Sequence, residues 1–403
     1  MNGEIAPGKP RVVLVTDGEQ RAALAAVRSL GTAGFTVVVA SSRAPSIAGV
    51  SKHTEHCHVV PSALSHPRDF VNGIEDVVRT RGVDVVLPMT DGSLIAILGA
   101  RDRFPSVRVP FVSLEQFQGI SNKAAVLETA RELGIAAPEQ WVIPSAASAV
   151  EFDPRCVRFP VIIKPARSVI DAAERRVKLG VSHALTADQL SARMREYPAE
   201  AFPILLQRRI VGPGIGIFLL VWDGQTVAVF GHRRLREAPP SGGVSVYRES
   251  VVPSDALVAK SRALLDKFSW QGVAMVEYKV DSATGIPYLM EVNGRFWGSL
   301  QLAIDAGIDF PALLVKKALG DDLMPALVPQ AGVRSRWEFG DINHLIARLR
   351  KSAEELSLPP GSVSLARAVL DFFSWHRGDR LEVFRFSDPA PFFREAIEWI
   401  KRR

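Results

Sequence analysis

The residues most able to do chemistry are Glu277, Glu291 and Asn293, with Arg295 just beyond. They fall within VAMVEYKVDSATGIPYLMEVNGRFWGSLQLAIDAGIDFP, residues 273–311. Val273 to Val280 and Ile286 to Val292 are rich in β-branched and aromatic residues, and DSATG between them is a turn cluster. The pattern predicts a hairpin. A turn centred near Thr284 sets Glu277 directly opposite Glu291. Like charges facing each other across a hairpin are destabilising, so water or a cation must resolve them. Asn293 lies two residues past Glu291 and points to the same face. Hard oxygen donors of this kind suit Mg²⁺, which is held by one or two carboxylates plus substrate phosphates; Mn²⁺ is the alternative ion. The bland reading is a solvated hairpin face with ordinary surface charges.

Other cations lie upstream. Lys164 ends the apolar run FPVIIKP. A lysine in such a run is rarely left unpaired, and its place before Pro165 aims it into a cleft at an anion. Lys123 sits in the first turn of a helix expected over 121–134, where a cation opposes the helix dipole. Either an anionic ligand or a nearby carboxylate would serve as its partner. The stretch 232–250 is arginine-rich, with Arg233 and Arg234 ahead of a Pro-Pro-Ser241-Gly-Gly loop. Such a loop can hold phosphates or carboxylates, or it is simply an exposed basic loop.

The elements that position these groups begin with an α/β segment. RVVLVT (11–16), FTVVVAS (35–41), Val59-Val60 and VDVVLP (83–88) read as parallel strands, with helices over 20–33 and 66–80 between them. A further short strand is expected at Val109 to Val112. Ligands of open α/β sheets bind beyond the carboxyl ends of strands, which makes Asp17, Thr90 and Asp91 candidates for substrate contact; Asp17 and Asp91 read equally as helix caps. No GxGxxG follows the first strand, so a dinucleotide site is disfavoured. The polar, basic segment 166–178 reads as a mobile lid. Strands follow at 204–211, 217–222 and 226–231, then a helix at 254–268 and, after the hairpin, helices at 298–307 and 309–319. Residues 331–403 read as a small helical tail whose aromatics, at helical spacing, are core.

Composition bounds the answer. At 403 residues, the chain is expected to hold two or three domains. Lys and Arg exceed Asp and Glu only by 49 to 43 and form no long block, so nucleic acid is disfavoured as a partner. Two distant cysteines, Cys57 and Cys156, fit no metal or redox spacing and suggest a reducing compartment. No signal peptide or membrane-length apolar run is visible. The expectation is a cytoplasmic protein with no membrane partner, its first ten residues a disordered tail.

Two lysines, a basic loop and then E…E-x-N-x-R on paired strands resemble the ATP-grasp superfamily, in its biotin-carboxylase-like carboxylate–amine ligase branch. MEVNGRFWGSLQLAIDAGIDFP is the most specific match, and the resemblance covers roughly residues 11–320. It implies an amino-terminal Rossmann-like parallel sheet over 11–118. A two-lobed α+β ATP-grasp domain follows over 119–330, divided near 205, and then the tail. It implies that Lys123 and Lys164 bind ATP. Gln207, Arg208, Arg209 and Ile210 form the adenine hinge. Glu277, Glu291 and Asn293 hold the metal, and Arg295 steadies the phosphoryl oxygens. Arg233 or Arg234 is the second phosphate-contacting cation. Two positions depart from the family: the lid lacks its usual glycines, and Gln207 stands where many members carry a carboxylate. The implied activity is ATP-dependent joining of a small-molecule carboxylate to an amine through an acyl phosphate, and a homodimer is compatible with it. A kinase, a bicarbonate-using carboxylase and a non-catalytic nucleotide sensor are the competing readings.

Overall fold

The computed structural model describes residues 11–172, 175–321, 328–359 and 361–402; the tail expected over 1–10 lies outside them. The described residues form two compact units, one built from 11–110, 309–321 and 383–402, the other from 111–308 and 328–382. No helix among them is long and apolar enough to cross a membrane.

In the first unit, β1 (Val12–Val15), β2 (Thr36–Ser41), β3 (His56–Val59) and β4 (Val85–Leu87) make a parallel sheet in the order β3-β2-β1-β4. β1 is buried along its whole length, as a strand covered on both faces must be. Helices Arg21–Thr32 and Pro67–Arg81 flank the expected strands, and Leu14, Val38, Phe70, Ile74 and Val86 share one core. β3 begins three residues before the Val59-Val60 signal. Its His-Cys-His sequence has no strand pattern, and pairing of Val38 with His56 decides the matter. The strand expected at Val109 to Val112 does not form; a single bridge joins Val85 to Arg108. Pro110 interrupts that run and has no N–H to give to a ladder. Residues of the tail return to this unit: Arg28 Nε and Ser51 Oγ each donate to Asp388 Oδ2 at 2.8 Å.

The second unit holds β5 (Gln140–Ile143), β6 (Val161–Pro165), β7 (Val169–Ala172), β8 (Arg175–Lys178), β9 (Ser182–Ala184) and β10 (Ile204–Arg208). The sheet β5-β10-β6-β9 is antiparallel, and β7 and β8 form a separate hairpin. That hairpin is the segment read as a lid; residues 173 and 174 lie outside the described residues.

The larger sheet contains β11 (Gly214–Trp222), β12 (Gln225–Ala238), β13 (Val244–Val251), β14 (Gly272–Val280), β15 (Pro287–Asn293), β16 (Arg334–Arg336) and β17 (Asp379–Leu381). Its order is β15-β14-β11-β12-β13-β16-β17. Phe218 packs against Trp297 with ring centroids 4.3 Å apart beneath it.

Residues 331–403 do carry helices, Glu338–Arg350, Leu365–Phe373 and Ala390–Lys401, but they also supply β16 and β17. Their aromatics are not all core: Phe373, Trp375 and Phe393 are 75%, 59% and 58% exposed. Helical spacing places residues on one face; it does not supply a neighbour to cover that face.

Candidate functional site

Glu277 does face Glu291 across β14 and β15, for a reason the turn alone does not contain. Near the turn, Val280 pairs with Pro287 and Tyr278 with Leu289. Continued without interruption, that register would bring Met290 opposite Glu277 and turn Glu291 to the other face, because side chains alternate with period two. A bulge between Glu277 and Tyr278 leaves Met290 unpaired and restores Glu277 to Glu291 and Met275 to Asn293. Bulges re-aim side chains in this way beside functional sites.

Both carboxylates are held by cations. Arg234 Nη2 lies 2.6 Å from Glu277 Oε2, and Lys123 Nζ 3.5 Å from Glu291 Oε2. Asn293 Nδ2 donates to Glu291 Oε1 at 3.3 Å, and Arg295 Nη2 donates to Asn293 Oδ1 at 3.2 Å. Burial works to raise the Glu291 pKa, but Lys123, Lys164, the Asn293 hydrogen bond and Arg295 together bring it down to about 2. Burial also raises Glu277; Arg234 opposes that shift and Glu291 adds to it. The two titrate as a pair.

Lys123 opens the helix Lys123–Glu132, capped by Asn122, whose Oδ1 accepts from the Ala124 and Ala125 amides. Its own amide donates to Ala166 O at 2.9 Å, which stitches the helix start to the end of β6. Its Nζ donates to Ser168 Oγ at 2.9 Å. Lys164, on β6, is 7% exposed. Burial pulls its pKa down to about 8, with Lys123 and Lys279 pushing the same way and Glu291 and Glu277 opposing. Gln207 on β10 donates through Nε2 to Gln140 Oε1 at 3.1 Å, while its buried Oε1 has no partner. That orphaned acceptor is open to a donor such as an exocyclic amine. Gly294 is needed where it stands: a Cβ there would lie 2.4 Å from the Trp270 ring.

The other expected residues have partners or surroundings of their own. Arg233 alternates to the face away from Arg234 and pairs with Glu249 at 2.6 Å. Arg208 lies over the Tyr288 ring, 4.0 Å from Asp281, and Ile210 is buried. Arg209 donates to the Ser241 carbonyl at 3.2 Å. In the first unit, Asp17 accepts from Thr16, Thr90 and Ser93 hydroxyls and the Met89 amide. Thr90, not Asp91, caps the helix Asp91–Gly99, and the helix Arg21–Thr32 has no side-chain cap from Asp17. Asp17 is thus committed to its neighbours in this structure. Residues not anticipated are Ser168 and Lys279. Lys279 shares the face of Glu277 two residues on, a placement the strand period alone could have found.

Among the described residues no group of three or more His, Cys, Asp or Glu side chains is placed to hold a metal. Two carboxylates and an amide oxygen are nonetheless a fitting set for Mg²⁺ that takes its remaining ligands from phosphates and water.

Residues 200–339 match a family described as ATP-grasp in the biosynthetic pathway with Ter operon. Among solved structures, the L-amino acid ligase of Bacillus licheniformis is similar at 17% identity, with 78% of this chain and 75% of that chain covered and a TM-score of 0.61. The biotin carboxylase of Campylobacter jejuni, in a β,γ-ATP complex, is 15% identical over 81% of this chain and 74% of that one, with a TM-score of 0.62. An ADP complex of N5-carboxyaminoimidazole ribonucleotide synthetase is 14% identical over 83% and 82%, also with a TM-score of 0.62. No curated protein matches the chain. At these identities the structural likeness is one of fold.

Proposed function

We propose that the chain is an ATP-grasp enzyme, a reading supported by its fold and by the family match over residues 200–339, and that it is an ATP-dependent ligase joining a small-molecule carboxylate to an amine. The observation that carries this reading is the facing pair Glu277 and Glu291 with Lys123 and Arg234 bound to them and Lys164 beside them. Phosphoryl transfer asks for positioning and charge neutralisation more than covalent help, and this is a site of that kind.

In the proposed reaction a substrate carboxylate oxygen attacks the γ-phosphorus of ATP, the bond to the ADP oxygen breaks, and an acyl phosphate results. The amine nitrogen then attacks the acyl carbon, the carbon–oxygen bond to phosphate breaks, and the amine proton goes to solvent. Lys164 and Lys123 hold phosphate oxygens, and Arg295 steadies the transferring group. Gln207 Oε1 and the backbone as far as Ile210 seat the adenine. Glu277, Glu291 and Asn293 would hold Mg²⁺, or Mn²⁺, which when bound neutralises phosphate charge. The segment leading from β6 into the β7–β8 hairpin carries Ser168 to Lys123, which supports a role for that hairpin in shielding the acyl phosphate from water.

Lys164 makes the nucleotide assignment testable by pH. Its pKa of about 8 means that the free protein loses this charge as pH rises past 8, whereas bound phosphates favour the charged form. ATP binding therefore takes up protons near pH 8–9, and affinity falls as pH rises through that range. Calorimetry in two buffers of different ionisation enthalpy reads the uptake directly. Lys164→Met removes it and weakens ATP binding about tenfold or more; binding without proton uptake in the parent protein contradicts the assignment.

The function itself is tested by phosphate release from purified protein with Mg·ATP and paired carboxylates and amines. Release that requires both partners supports the ligase. Release that needs no amine, with phosphate transferred to a hydroxyl, would make it a kinase.

A further inference from the structure

The second unit contains a cavity of about 460 Å³ against the large sheet, walled by the 209–214 segment, by β12 and by the helices Glu338–Arg350 and Leu365–Phe373. Its size is that of a small-molecule site. We infer that this cavity seats the carboxylate substrate, and that this substrate bears at least one further anionic group, a carboxylate or a phosphate.

Arg209, Arg234, Arg236, Lys279, Arg334 and Arg348 all line the cavity, against Glu237 and Asp371. Three of the cations are already committed: Arg234 to Glu277 and Glu237, Arg236 to Asp341, and Arg334 to Glu249. Both acids are committed too, Glu237 to Arg234 and Asp371 to Arg367. Arg209, Lys279 and Arg348 remain with no carboxylate partner among the described residues. Arg209 and Arg348 each donate only to a carbonyl, Ser241 O at 3.2 Å and Val363 O at 2.6 Å. Three uncompensated cations around one cavity favour more than a single carboxylate.

Position supports the same conclusion. Arg234 is at once a wall of the cavity and the partner of Glu277 at 2.6 Å, and Lys279 follows Glu277 by two residues on the same face of β14. A substrate lying here has one end at Arg234 and Lys279, beside Glu277, where the carboxyl to be activated belongs. Its other end lies toward Arg348. Tyr247, Leu235 and Leu358 supply an apolar stretch for the carbon skeleton between them. His344 and Arg348 come from residues beyond the 200–339 family match, so the carboxyl-terminal segment carries selectivity that the shared family region does not.

The fate of the bound substrate rests on the ligase reading, but its binding does not, and the test separates the two. Butyrate, glutarate and 3-phosphoglycerate are compared by calorimetry with the full chain in Mg·ADP, and by phosphate release with Mg·ATP and hydroxylamine as the amine. Glutarate or 3-phosphoglycerate is expected to bind at least about tenfold more tightly than butyrate, and the better of the two tells carboxylate from phosphate. Arg348→Gln weakens that binding about ten- to a hundredfold. Arg348→Lys keeps most of it, and both variants leave Mg·ATP affinity unchanged. Dianion binding that depends on Arg348 without any phosphate release leaves this inference standing and removes the ligase reading. Equal binding of butyrate and the dianions, no binding of either dianion, or dianion binding untouched in Arg348→Gln overturns the inference.

Discussion

Alanine at Glu291 is expected to lower ATP-dependent phosphate release by about a thousandfold while leaving a folded protein. β15 is held by its backbone ladder to β14, so the strand does not need this side chain. The chemistry does. Glu291 is the carboxylate that Lys123, Lys164, Asn293 and Arg295 keep ionised at about pKa 2 in spite of burial. Without it, Lys123 loses its carboxylate partner, Lys164 loses the larger of the two that offset its burial, and Glu277 alone remains to hold a cation. A coupled assay for ADP measures the loss, and circular dichroism checks the fold. Full activity in this variant would remove Glu291 from the proposed metal set. A second readout follows from linkage. The folded pKa lies below the ordinary value of 4.5, so Glu291 contributes stability that is fully present above about pH 4.5 and is lost as pH falls toward 2. The alanine variant should show a shallower acid limb.

The largest effect on stability is expected at Glu382. Arg248 on β13 is 0% exposed, and it pairs with Glu382, itself 3% exposed, just past β17; a second bond runs from Arg248 Nη1 to Ser245 O at 3.1 Å. Removing one partner of a buried pair strands the other charge away from water, which costs about 3–5 kcal/mol. Glu382→Ala should therefore shift urea unfolding of the second unit by that amount. The double variant Arg248→Met with Glu382→Leu should recover most of the loss, because no charge is then left buried. A loss under about 1 kcal/mol in the single variant would contradict this account. The pair also ties β13 to the segment that carries β16 and β17, and Arg334 on β16 lines the cavity. Weaker binding of dianions in Glu382→Ala is then a consequence of structure, which is why Arg348, which lines the cavity and has no carboxylate partner among the described residues, is the better probe of that site.

Much of the fold is legible in local pattern. The apolar runs of β1, β2 and β4, the cap at Asn122 and the turn before β15 are short-range signals, and each produces the expected element. Where the pattern misleads, a distant partner is responsible. β3 is a strand because β2 offers it a ladder, and β16 and β17 are three-residue strands whose sequences say nothing until β13 lies beside them. Asp17 and Thr90 stand at strand ends, as a ligand site in such a sheet would require, yet in the structure they bind each other.

The chemistry proposed for the site rests on residue types. Two glutamates, an asparagine and an arginine at this spacing, with lysines upstream, already point to a metal and a phosphate, because few other arrangements tolerate so many charges on apolar strands. What only the tertiary structure decided is which of those charges meet. The bulge at Met290 is what brings Glu291 to the face of Glu277. Strand alternation sends Arg234 inward and Arg233 out to Glu249. Arg209, Lys279 and Arg348, spread over 140 residues of sequence, converge on one cavity. Period and propensity act over a few residues, whereas a charge is satisfied by whatever lies within a few ångströms, and that distance is set by the packing of the whole sheet.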